Sequence, residues 1–102
     1  PYDAKAAREE LLQLLPEDCL NRPVYTFSGG MKRRTAICRA MIAPSRIVLM
    51  DEPFTGLDEK TRNLVIRYVL GRLNGRMLVV ATHQEVEAER LGGRVVNLAI
   101  GL

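Results

Sequence analysis

Two unbroken apolar runs limit this chain more than any other feature. They are Ile47-Val48-Leu49-Met50 and Met77-Leu78-Val79-Val80-Ala81, and each closes on polar residues, Asp51-Glu52 and Thr82-His83. Runs of that length read as strands buried on both faces of a parallel sheet. Between them Asp58 is placed to cap a helix to about Leu73, with Thr61, Val65, Tyr68, Val69 and Leu73 on one face; Asn74-Gly75 ends it. Gln84 to Leu91 reads as a further helix, Gly92-Gly93 as a turn and Val95 to Ile100 as a third strand. The order strand, helix, strand, helix, strand makes the class α/β, a parallel sheet with flanking helices.

The first part of the chain is helical. Asp3 caps a predicted helix to about Leu15, where Pro16 stops it; Ala7, Leu11, Leu14 and Leu15 form its apolar face. A connector over 16–27 leads to Ser28, which caps a second helix to about Ala43, ended by Pro44. Ile37, Ala40 and Met41 face inward on this reading, and Lys32, Arg33 and Arg39 are expected in solvent. At 102 residues with 47% hydrophobic and 26% charged side chains, the chain suits one globular domain or a piece of one and excludes disorder. A net charge of +3 is too weak to imply nucleic-acid binding. The two cysteines, Cys19 and Cys38, lack metal-ligand spacing and are expected as free thiols. No apolar run approaches a membrane span and no signal peptide is visible, so membrane association is expected only through a partner.

Ligands of open parallel sheets sit beyond the carboxyl ends of the strands. Asp51, Glu52 and His83 lie at two such ends and are expected at one crevice. Asp51 suits a hydrated Mg²⁺, which prefers oxygen ligands and keeps several waters. Glu52 is placed to polarise a water, and His83 to hydrogen-bond a terminal phosphate. Ser28-Gly29-Gly30 opens a helix whose free N–H groups and positive dipole end favour a phosphate. Taken singly, each has an ordinary explanation: a polar turn, a structural histidine, an N-cap, and for Lys32-Arg33-Arg34 a solvated helix face.

In order, the segments say more. "TFSGGMKRRTAICRAMI", "RIVLMDEPFTGLD" and "VVATHQEVEAERLGG" resemble the signature segment, the Walker B strand with its D-loop, and the switch-histidine segment of ATP-binding cassette (ABC) ATPases. The resemblance runs from about Asn21 to Leu98. None of the eight glycines is followed by lysine, so the chain carries no phosphate-cradling G-x-x-x-x-G-K loop. It therefore resembles the C-terminal part of such an ATPase: 1–44 as the end of the helical subdomain, 45–102 as the end of the P-loop NTPase core. Phe27 and Met31 stand where the family most often has Leu and Gln. The adenine-stacking aromatic and the Q-loop glutamine have no counterpart here. In the family, the strand leading into the phosphate loop lies between those matching Met77–Ala81 and Val95–Ile100, so a gap in the sheet is expected.

The resemblance implies that Asp51 holds Mg²⁺ through water, that Glu52 is the catalytic carboxylate and that His83 contacts the γ-phosphate of ATP. It implies that Ser28, Gly29 and Gly30 contact ATP held by a second ATPase subunit in a head-to-tail dimer, with Asp58 at that interface. It further implies transmembrane permease partners, a cytoplasmic position at the inner face of the cell membrane, and no direct nucleic-acid contact. The "DEPF-GLD" form favours an importer. The isolated chain is expected to be inactive. Two other readings share these motifs: a soluble ABC-family ATPase acting on nucleic acid or in translation, and a non-catalytic module supplying the signature motif in trans.

Overall fold

The computed structural model describes residues 3–98. Four helices and two strands follow in the order α1 (Ala4–Leu11), α2 (Gly29–Ile42), β1 (Ile47–Asp51), α3 (Glu59–Gly71), β2 (Met77–Ala81) and α4 (Glu85–Leu91). Short 3₁₀ turns at Glu17–Asn21 and Val24–Thr26 fill the connector before α2.

The helix starts follow from side-chain caps, each satisfying N–H groups that a helix leaves free. The Asp3 carboxylate accepts from the N–H of Lys5 and Ala6, at 3.0 and 3.2 Å. Ser28 Oγ accepts from Met31 N at 3.2 Å, and Asp58 Oδ1 from Thr61 N at 2.7 Å. The first helix is shorter than expected. It ends at Leu11, and the chain continues through a tighter turn in which Gln13 and Leu14 donate to the carbonyls of Glu10 and Leu11. Pro16 disfavours helical backbone at the residue before it, and the tighter turn still delivers Leu14 and Leu15 to the interior.

The two strands pair in parallel, from Ile47 opposite Met77 to Asp51 opposite Ala81. Val48 and Met50 point into a core with Leu14, Ile37, Cys38, Met41, Phe54, Val65, Ile66, Tyr68 and Val69, and Leu78 and Val80 pack against it. The expectation of strands buried on both faces is corrected here. Ile47, Leu49, Met77 and Val79 share the opposite face and are 52%, 72%, 61% and 47% exposed. Among the described residues helices cover one side of the sheet only, so side-chain alternation leaves every second residue in solvent.

Among the described residues the expected third strand does not form. Residues 94–98 have no regular structure, and Ala99 and Ile100 lie outside the described residues. A strand needs a hydrogen-bonding neighbour, and the strand that would separate this segment from β2 is not among the described residues.

A polar cluster clamps α1 and α2 to α3. Arg72 holds the Glu10 carboxylate through two N–H donors, Nε at 2.7 Å and Nη2 at 3.2 Å. The Tyr68 hydroxyl donates to Glu10 Oε1, and the buried Cys38 thiol donates to the Tyr68 oxygen. The guanidinium, through its hydrogen bond, holds Glu10 below the usual carboxylate range, and burial pushes the Cys38 thiol up. Periodicity identified Tyr68 as inward-facing but gave no sign of a partner 58 residues away in sequence. Arg76 closes the far end by donating to the Met41, Ala43, Arg72 and Leu73 carbonyls at the C-termini of α2 and α3.

Candidate active site

The site begins where β1 ends. Strand alternation puts Asp51 on the open face with Leu49, and its side chain is exposed. The next residue breaks the pleat. Glu52 has φ +47°, the left-handed region that a residue with a Cβ seldom enters. Its N–H donates to Ala81 O at 2.8 Å, extending the ladder by one bond. Its carboxylate is re-aimed across the strand ends, where Oε1 accepts from His83 N at 2.9 Å and lies 2.8 Å from His83 Nδ1. Glu52 and His83, 31 residues apart in sequence, therefore meet as expected from two parallel strand ends.

The hydrogen bonds fix the ring's orientation. Nδ1 faces a carboxylate that only accepts, so Nδ1 carries a proton. Nε2 lies 3.1 Å from Gln84 Nε2, an amide nitrogen that donates, so the ring Nε2 accepts there. The Glu52 carboxylate raises the His83 pKa above 6.5, first through the hydrogen bond and then through its charge. A raised histidine pKa means the folded state binds the proton more tightly than the unfolded state. The pair's contribution to stability is thus complete below the ordinary pKa and fades as pH rises through the higher folded one. In an NMR pH titration His83 is expected to show a midpoint above 6.5 that returns toward 6.5 in Glu52→Gln; an unchanged midpoint in the variant would contradict the contact.

Beyond the ring, Thr82 donates to Glu87, a carboxylate only 6% exposed, and accepts from Gln84 N. These bonds tie the loop before α4 to its first turn. The ST-type spacing of Thr82 and Gln84 was the available sequence signal. A cavity of about 490 Å³ opens beside this loop, between α3, β2, α4 and residues 93–97.

Ser28, Gly29 and Gly30 sit at the start of α2. Ser28 Oγ is used as an acceptor by the cap, which leaves its O–H free to donate. A side chain on Gly29 would meet nothing within 4 Å, so that backbone is open to approach. Gly30 faces Leu57, whose Cδ2 would lie 3.5 Å from an added Cβ. The Gly56-Leu57-Asp58 loop therefore packs beside the α2 N-terminus, and Gly56 supplies its turn at φ +82°. Asp58 is exposed; the cap bond from Thr61 lowers its pKa, with Arg34 and Lys60 adding to the effect.

The basic run Lys32-Arg33-Arg34 divides three ways. Lys32 is exposed, as expected. Arg34 donates to the Leu14 and Gly30 carbonyls, tying the end of the α1 turn to the start of α2. Arg33, expected in solvent, is half-buried and donates from Nη1 to the Glu52 carbonyl at 3.2 Å. Helical periodicity could not reveal this, because the acceptor is backbone 19 residues away in sequence.

Among the described residues no cluster of three or more His, Cys, Asp or Glu side chains could cage a metal, and no helix is long and apolar enough to cross a membrane. The lone Asp51 carboxylate is a hard oxygen donor. It fits a cation that keeps most of its waters, as Mg²⁺ does.

Comparison with known proteins identifies the family of the chain. Residues 3–55 match the family described as ABC transporter. The chain is 37% identical over 109 residues to the ABC transporter ced-7 of Caenorhabditis elegans, covering 98% of this chain and 6% of that protein. It is 44% identical over 81 residues to the Nod factor export ATP-binding protein I of a Rhizobium species, covering 76% of this chain and 26% of that protein. It is 37% identical over 97 residues to the carnitine transport ATP-binding protein OpuCA of Listeria monocytogenes, covering 91% and 24%. The chain thus spans a small part of the length of the relatives it matches. With over half of its residues matched to the family, on a parallel α/β scaffold that brings Glu52 to His83, the chain belongs to the ABC transporter family.

Proposed function

We propose that this chain is part of the nucleotide-binding subunit of an ABC transporter, which couples MgATP hydrolysis to solute movement across a membrane. The observation that carries the reading is the Glu52–His83 contact at 2.8 Å beside an open Asp51 carboxylate. Glu52 acts as general base toward the attacking water. His83, its pKa raised by Glu52, takes up a second proton at Nε2, gives up the Gln84 contact and donates from Nε2 to the terminal phosphate. Mg²⁺, held by Asp51 through water, would neutralise phosphate charge. Ser28, the open backbone at Gly29, and Gly30 face ATP bound by a second subunit in a head-to-tail dimer, with Asp58 at the interface.

On this reading 1–44 ends the helical subdomain and 45–102 ends the catalytic core. The subunit sits at the cytoplasmic face of the membrane against transmembrane permease partners and needs no nucleic acid. The "DEPF-GLD" form favours import, while the relatives include one named for export and one for carnitine transport.

The experiment is an ATPase assay on two proteins. The complete subunit carrying this segment is expected to turn over MgATP. The 102-residue chain, which has no G-x-x-x-x-G-K loop, is expected to release no phosphate above background. Robust turnover by the purified 102-residue chain, abolished by Glu52→Gln, would overturn the division of labour proposed here.

A further inference from the structure

We propose that Arg33 is a positioning residue that holds the Glu52 peptide so that its carboxylate stays against His83. The proposal rests on the reading of Glu52 as the catalytic carboxylate and assigns a new role to a residue of the α2 helix.

The argument begins with the backbone. Glu52 adopts φ +47° although it is neither glycine nor asparagine. Such conformations persist only where the surroundings over-determine them, and they cluster at functional sites. Here the two sides of the residue are held by different elements. Its N–H is held by Ala81 O at the end of β2, at 2.8 Å. Its carbonyl is held by Arg33 Nη1 from α2, at 3.2 Å, with Thr55 N only at 3.5 Å. Relaxation of this residue toward ordinary strand geometry would rotate the carbonyl away from Arg33. It would also swing the side chain off the His83 N–H and ring, which now lie at 2.9 and 2.8 Å. The guanidinium is therefore the donor that selects the productive conformer.

Two properties of Arg33 fit this role better than a phosphate contact. It is half-buried, unlike the adjacent Lys32. Its acceptor is a main-chain oxygen, so the bond carries geometry and not charge pairing.

The test uses the complete ATPase and two substitutions. Arg33→Met keeps the length and removes the donor; Arg33→Lys keeps a donor. Arg33→Met is expected to lower kcat by about tenfold to a hundredfold, the range a misplaced catalytic group produces, with KM for MgATP within roughly twofold. Arg33→Lys is expected to recover most of that loss. In the 102-residue chain, the nuclear Overhauser contact between the His83 amide proton and the Glu52 side chain is expected to weaken in Arg33→Met and persist in Arg33→Lys. Unchanged kcat in Arg33→Met, equal losses in both variants, or a loss carried by KM would overturn the proposal. Should Arg33→Met fail to fold, Arg33→Leu, which also lacks a donor, carries the same comparison with Arg33→Lys. Glu52→Gln serves as the control. Turnover that survives it defeats the assignment of Glu52 itself. Turnover that Glu52→Gln abolishes but Arg33→Met spares defeats only the positioning role.

Discussion

Glu52→Gln in the complete ATPase is expected to lower kcat by about 10²–10⁴-fold, the usual worth of a positioned general base. The substitution is nearly isosteric. The amide oxygen still accepts from His83 N, so the strained loop keeps its principal contact. What disappears is the negative charge. The neutral amide takes no proton from water, and the histidine loses the group that raises its pKa. Both losses act on the chemical step, so KM for MgATP is expected to change little. Phosphate release measured at saturating MgATP checks this. A kcat within roughly threefold of the parent would show that another group activates the water, since a true base contributes far more.

Phe54→Ala is expected to cost about 3–5 kcal/mol of folding stability, the range for deleting a buried aromatic ring. Phe54 is 2% exposed and lies in the turn two residues after Glu52. Its ring joins Val48, Met50, Val65 and Val69 in the core. Removing it opens a cavity under the loop that presents the carboxylate. A domain of this length holds about 5–15 kcal/mol in total, so the loss takes a fifth or more of it. Urea unfolding followed by circular dichroism measures the change, read as a lower midpoint at constant slope. A loss below about 1 kcal/mol would mean that the loop collapses onto the vacated space.

The contrast between what the residues disclosed and what they concealed has a physical basis. Caps and apolar periodicity are local, so Asp3, Ser28 and Asp58 were legible as helix starts, and Val65, Tyr68 and Val69 as a buried face. The meeting of Glu52 with His83 was legible because parallel strands place their ends together. The Glu10–Arg72–Tyr68–Cys38 cluster was not, because α1 and α3 meet only through tertiary packing. Arg33 was hidden for a similar reason: its acceptor is a carbonyl, and carbonyls carry no letter in a sequence. The apolar runs 47–50 and 77–81 carry the pattern of doubly buried strands. That pattern describes strands in a sheet covered on both sides, while the described residues cover only one.

The uncovered side of that sheet bears on how this polypeptide behaves in the test tube. Ile47, Leu49, Met77 and Val79 form an oily plate flanked by strand edges that have no partner among the described residues. Such plates and edges are where molecules adhere to one another. Concentration thus governs how long the 102-residue chain stays dispersed, and dilute, cool samples keep it monomeric longest.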